Sequence, residues 1–287
     1  MKPIVISRLF ACLLCMNAAS PAAELPAHGL MLDLDAAKGV SVEDGNRVAK
    51  WVSEVPGHRF EFLKRDEGRK EPGSGRPTLR EAVPEMGGAP ALVFLQQELV
   101  CPDEDAFDAL TTGKGHTWAA VVAVHPQRVG LIDVNSFFGN LRNGGNYEGF
   151  WGCVTDDNRP WCGVRNGLTM GRFDANNPQL LVPAALMPGR FHLLIGRMQA
   201  GTGEVRLDFF IDTAKPAATA SVPVSATANP SKMAVGQERD AIQHPGHESF
   251  DGEIARLLIW QRPLDDAELA AVIATLQQKK PTANGRK

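Results

Sequence analysis

The chain is expected to fold as an all-β sandwich closed by one short helix, and three observations point there. Most of it breaks into short apolar and β-branched runs separated by Gly, Pro, Asn and Asp clusters, the punctuation of strands and turns. One segment, Arg190 to Thr213, reads as a complete hairpin. A single stretch near the C-terminus combines helical periodicity with a start signal.

Taken in order, Gly29 to Leu34 is the first candidate strand, and Val48 to Val52 the second, with Trp51 among apolar neighbours. Lys64 to Pro84 is charged and rich in Gly and Pro, and reads as a long surface loop. Ala91 to Leu95 and Thr117 to Val124 follow; the latter is apolar on both faces, as a central strand requires. In the hairpin, Phe191 to Arg197 leads through Ala200-Gly201-Thr202-Gly203 to Val205 to Ile211. Leu207, Phe209 and Ile211 share one face, and Arg206 and Asp208 the other. Ala214 to Pro230 is rich in Ala, Pro, Ser and Thr, and fits a crossing loop holding a strand at Ser221 to Val224. Asp265 then caps a helix, with Glu268 three residues on and Leu264 positioned to staple onto Leu269. Leu269, Val272, Ile273 and Leu276 give that helix one apolar face.

The ends read differently. Lys2 and Arg8 precede an apolar run from Leu9 to Met16, and Asn17 to Ala23 supplies small residues. That layout predicts a secretory signal over residues 1–22, cleaved after Ala22 or Ala23, and hence a secreted or periplasmic protein. Leu9-Phe10-Ala11-Cys12 also resembles a lipobox, although Phe10 fits it poorly, so an outer-membrane lipoprotein is the lesser alternative. The domain is then expected over residues 23–277, followed by a polar tail, 278–287. No later run is long and apolar enough to span a bilayer as a helix. Loss of Lys2 and Arg8, the only charges before Glu24, takes the net charge from −3 to −5. With no basic stripe, nucleic acid is not an expected partner.

Cys101, Cys153 and Cys162 remain after the signal. Cys153 and Cys162 flank a turn-rich loop and, in an exported chain, are expected to form a disulfide, leaving Cys101 as a buried thiol. Neither CxxC nor HExxH occurs after the signal, which argues against zinc.

Phe250 to Leu269, FDGEIARLLIWQRPLDDAEL, resembles the closing strand and helix of laminin G-like and pentraxin-like domains. Asp44-Gly45-Asn46 with Val48 and Trp51, and Ala89-Pro90-Ala91-Leu92-Val93-Phe94, resemble the same class more weakly. The stretch Asn143 to Asn177 is similar to a subgroup found in exported proteins of polysaccharide-degrading bacteria. The resemblance implies a concanavalin A-like jelly roll of two curved antiparallel sheets. It implies no single activity, because that fold carries lectins, adhesion modules, glycosidases and lyases.

Asn143 to Asn177 is also the densest candidate site. Tyr147, Phe150, Trp151 and Trp161 offer flat apolar faces, and Asp156, Asp157, Asn158, Arg165, Asn166, Asp174, Asn176 and Asn177 offer donors and acceptors. Sugar recognition uses that mixture, rings against C–H faces and planar polar groups on hydroxyls. The competing reading makes the aromatics core and the Asn, Asp and Gly residues turn builders. Asp156-Asp157-Asn158 carries the hard oxygens calcium takes, without a DxDxDG-type loop. Glu238-Arg239-Asp240 with His244 and His247 gathers titratable groups suited to acid–base chemistry, or else forms an exposed polar loop. No strand carries the alternating carboxylates of a jelly-roll glucanase; Glu98 and Asp103-Glu104-Asp105 come nearest, in a loop. The expected function is glycan binding or adhesion without catalysis, through Trp151, Trp161, Arg165, Asp174, Glu238 and Arg239. The alternative is a polysaccharide-active hydrolase or lyase centred on Glu238, Asp240, His244 and His247, with Tyr147 the one tyrosine available to a lyase.

Overall fold

Trp118 meets Phe137 and Phe138 edge-on, with centroids 5.9 and 5.0 Å apart, and these contacts join two antiparallel layers. They belong to a computed structural model describing residues 24–127, 134–143, 145–170, 173–238 and 248–277. The predicted signal, 1–22, and the polar tail, 278–287, lie outside the described residues, and so do Arg239, Asp240, His244 and His247.

The strands in chain order are β1 (Leu30–Asp35), β2 (Val40–Glu43), β3 (Arg47–Val55), β4 (His58–Lys64), β5 (Thr78–Arg80) and β6 (Ala91–Leu95). Then come β7 (Leu99–Val100), β8 (His116–Val124), β9 (Asn135–Gly139), β10 (Arg142–Asn143), β11 (Tyr147–Val154) and β12 (Pro160–Asn166). The last are β13 (Leu180–Leu181), β14 (Phe191–Met198), β15 (Glu204–Ile211), β16 (Pro216–Pro223), β17 (Ala234–Val235) and β18 (Asp251–Trp260), before helix α1 (Asp266–Gln277). The back layer runs β18-β8-β14-β15-β16, with β1 and β6 sharing the other side of β18. The front layer runs β2-β3-β4-β7-β17-β9-β11-β12-β13. Strand β5 links β3 to β6, and all these ladders are antiparallel. The expected jelly-roll sandwich with one C-terminal helix is therefore the observed architecture.

Between the layers lies the main core, including Trp51, Phe62, Trp118, Phe138, Phe150, Phe209 and Ile259. Strand β18 shifts register between Ile254 and Arg256, so Ile254 and Leu257 both enter that core although three positions apart. Leu258 and Trp260 face the other way, under α1, with Leu269, Val272, Ile273 and Leu276. Each such side chain, fully buried, contributes about 1.5–3 kcal/mol. The helix starts as its sequence predicts: Glu268 N–H donates to Asp265 Oδ1 at 2.8 Å, and Asp265 N–H to Glu268 Oε2 at 3.1 Å.

His116 occupies one end of the main core, fully buried, with Nδ1 2.9 Å from the Leu110 carbonyl and its ring on Phe150. Burial pushes its pKa down to about 4. Cys101 is also buried, and burial pushes its thiol up to about 11.

Three expectations change. The loop from Lys64 to Pro84 contains β5, whose three residues pair with β3 and β6. The strand expected at Ser221 to Val224 begins earlier, at Pro216, because the ladder to β15 organises a run of Ala, Ser and Thr with little strand preference. Cys153 and Cys162 are not joined. Cys153 pairs with Trp161 and Cys162 with Gly152, so strand alternation sends their thiols to opposite faces of the front layer. Cys162 lies in the main core and Cys153 in the outer cluster, a separation that closeness in sequence does not reveal.

Candidate functional site

The front layer buries a second cluster on its outer face. Alternation along β11 turns Trp151 and Cys153 away from the main core, opposite Gly163 and Trp161 on β12. The ring of Trp151 lies across β12 because Gly163 has no side chain; a Cβ there would sit 2.7 Å from the indole. Trp161 meets Trp151 edge-on at 5.6 Å and 86°. Val134, Leu141 and Cys153 complete the cluster, with Tyr147 and Leu181 packed against it.

Arg165 shares this face, its register partner being Gly149. Its guanidinium carbon lies 5.3 Å from the ring centroids of both Tyr147 and Trp151, and 5.7 Å from that of Phe173. The side chain is 4% exposed, so a cation is held among three aromatic rings with little water to screen it. Phe173 is the outermost ring, edge-on to Trp161 at 5.6 Å and 87°. It is 37% exposed, and Leu168 and Met170 are exposed in the same loop.

The predicted contact residues fall into three groups. Trp151 and Trp161 are each 1% exposed, so their rings form the floor of this face and present no open stacking surface. Arg165 joins them there. Asp174 is exposed at the loop, but its Oδ1 accepts from the backbone N–H groups of Asn176 and Asn177, 3.0 Å each, and from Asn177 Nδ2 at 3.1 Å. It shapes the turn that carries Phe173 past the sheet. Glu238 is buried, and its carbonyl accepts from Leu141 N–H at 3.2 Å while passing over Gly139, where a Cβ would stand 2.3 Å from that oxygen. Arg239 lies outside the described residues, as do Asp240, His244 and His247.

The Asp156-Asp157-Asn158 turn is occupied with holding the β11–β12 hairpin. Asp156 Oδ1 accepts from Asn135 Nδ2 at 2.8 Å. Asp157 accepts from the Thr155 hydroxyl and from Arg159 Nε, and these bonds hold its carboxyl below the usual range. Asn158 takes a left-handed backbone at φ 64° and accepts from Gln127 Nε2 at 3.0 Å. One carboxylate oxygen of each Asp thus answers a protein donor, and no cluster of three His, Cys, Asp or Glu side chains occurs among the described residues. Glu98, one of the carboxylates considered for glycosidase chemistry, is buried against Arg69 at 2.6 Å.

Sequence reasoning passed over Phe173 and Ser136. Phe173 sits in a run of Gly, Arg, Asp and Asn that reads as turn, and only the fold lifts it onto Trp161. Ser136, opposite Cys153 on β9, has a buried hydroxyl without a hydrogen-bond partner, as has the indole N–H of Trp151. Unpartnered buried polar atoms also occur elsewhere, at His116 Nε2 in the main core and Arg197 Nε on the back layer, so these two do not by themselves mark a site.

No protein-family model matches the chain, and no curated protein matches it. Solved structures do. Trypanosoma rangeli sialidase in complex with 2,3-difluoro-KDN is similar at a TM-score of 0.55 and 11% identity, covering 92% of this chain and 36% of that one. The same sialidase in complex with sialic acid gives 0.54 and 13% identity over 92% and 36%. A native heptameric SAP-like pentraxin from Limulus polyphemus follows at 0.38 and 14% identity, over 56% of this chain and 70% of that one. The sialidase likeness is one of fold, and this chain spans about a third of the sialidase's length.

Proposed function

We propose that this chain is an exported, laminin G-like glycan-binding protein that holds its ligand on the outer face of β9, β11 and β12 and does not cleave it. The observation that carries this reading is the aromatic cluster around Arg165, built on the sheet face that points away from the main core. A sandwich needs one core to fold. The back layer's outer face is covered by α1, whereas the front layer's outer face ends in the partly exposed Phe173 ring. Rings and an adjoining cation suit a ligand with apolar C–H faces and polar edges, which describes a sugar. Trp151, Trp161 and Arg165 support that surface, Asp174 shapes the turn after Phe173, and Glu238 lies beside it at Gly139; Arg239 is proposed as a further contact. That a sialidase of the same fold has been solved with sialic acid puts acidic sugars on the list of ligands to try.

The test is a glycan-array screen of the secreted protein, with and without chelator, followed by product analysis on every glycan retained. Retention without turnover supports the reading. Release of product moves the function to the hydrolase or lyase alternative, and retention of nothing across the array contradicts both. N-terminal sequencing of the exported protein tests the signal, with Ala23 or Glu24 expected first.

A further inference from the structure

We propose that Phe173 is the residue on which the ligand's sugar ring stacks, and that it selects sugars with an unbroken apolar C–H face. This assignment rests on the glycan-binding reading and deepens it. Among the described residues, Phe173 is the most exposed of the Phe, Tyr and Trp side chains, at 37%. Trp151 and Trp161, beneath it, are each 1% exposed and have no face to offer. The three rings pack edge-on in series, Trp151 to Trp161 at 86° and Trp161 to Phe173 at 87°.

The backbone supplies a second, independent observation. Phe173 has φ 59°, the left-handed region that a bulky side chain rarely enters. Such conformations persist where the surroundings impose them, and they gather at ligand sites. Here Trp161 and Arg165 hold the ring from below, and the Asp174 turn fixes the chain just after it. Burial does not account for the arrangement, since over a third of the residue remains in water. Leu168 and Met170, shortly before it in the chain, are 49% and 48% exposed. A pyranose with equatorial hydroxyls presents a flat array of axial C–H groups that matches such a ring, while an axial hydroxyl interrupts it.

The experiment uses isothermal titration of the full secreted chain with cellohexaose, a mannohexaose and 3′-sialyllactose, chosen to span C–H face and charge. It compares wild type with Phe173→Tyr and Phe173→Leu. Tyr keeps the ring. Leu keeps apolar packing on Trp161 but has no flat face, so a purely structural role would be rescued by it. The expected result is that Phe173→Tyr binds the preferred sugar within about threefold of wild type, and Phe173→Leu about tenfold more weakly at an unchanged Tm. Wild-type affinity in Phe173→Leu overturns this assignment and leaves the glycan-binding reading standing. A parallel fall in Tm and affinity in Phe173→Leu overturns it too, by showing the ring to be structural. Absence of binding by wild type to these sugars and to the array removes both.

Discussion

The sandwich has two outer faces, and they are finished in different ways. Behind the back layer, Ala119, Val121, Leu193, Ile195, Leu258 and Trp260 are sealed by the apolar side of α1. The charged groups around this face are ion-paired, although Arg197 Nε has no hydrogen-bond partner: Arg197 bonds Asp266 at 2.7 Å and Asp208 at 3.2 Å, and Arg256 bonds Asp33 at 2.7–2.8 Å. Glu253, nearby, takes bonds from Arg80 at 2.9 Å and lies 3.3 Å from His125. Burial raises the Glu253 carboxyl, and His125 and Arg80 outweigh that and bring it below its usual range. The front layer's outer face has aromatic rings, a buried guanidinium, orphaned hydroxyl and indole groups, and an exposed strained Phe. A face completed by a regular element serves stability. One completed only by loops, with the Phe173 ring left partly in water, is the face on which the proposed ligand would sit.

The largest effects that separate the faces concern their tryptophans. Trp260→Ala should cost about 3–5 kcal/mol in urea unfolding, since the residue is fully buried and its Nε1–H bonds the Pro26 carbonyl at 2.7 Å. Trp151→Ala should cost as much, because it too is core to its own cluster, with loss of glycan binding following from the damaged floor. A cost below about 1 kcal/mol for Trp151→Ala would mean that its ring stands free, and the comparison between faces would collapse.

Next in size is an acid effect from the core that both faces share. His116 titrates near 6.5 when unfolded and at about 4 when folded, so between those values the unfolded chain binds the extra proton. Its contribution is complete above pH 6.5 and is lost as pH falls toward 4, by about 2–3 kcal/mol at pH 4.5. Asp108 acts in the opposite sense. Burial, with Asp105 and Glu104 beside it, pushes its carboxyl up to about 6, which favours the folded state on acidification; solvent screens this contribution. Unfolding at pH 7 and 4.5 in wild type and His116→Leu isolates the histidine, and an equal acid loss in both would refute its role.

A smaller effect belongs to the back face alone. Asp265→Ala removes the helix cap and should cost about 1 kcal/mol, with glycan affinity unchanged. A loss of affinity there would couple the faces. Smallest is the response to reductant: no shift in Tm, because Cys153 and Cys162 are unpaired on opposite sides of the layer. A drop of several degrees on reduction would restore the disulfide.

Elements governed by local rules were readable in the sequence. Helix α1 carries its cap, staple and periodicity within Leu264 to Leu276, and the β14–β15 hairpin carries its turn between two matched strands. What depended on register was hidden. The bulge at Ile254 to Arg256 decides which of Leu257 and Leu258 meets the main core, and no residue there announces it. The same limit governs the site. Trp151, Trp161 and Arg165 were found together because they lie on adjoining strands, but their burial follows from packing over Gly163 and from the loop returning at Phe173. Phe173 itself looks like one more turn residue until the fold sets it on Trp161.

Hydrogen exchange of the protein, with and without a saturating glycan retained on the array, separates the two outer faces most sharply. The account predicts slowed exchange in 147–151 and 161–174, on the front layer's outer face, and none in 266–277, the helix behind the back layer. Protection centred on α1, or spread over the back layer with the 161–174 segment unchanged, would contradict it.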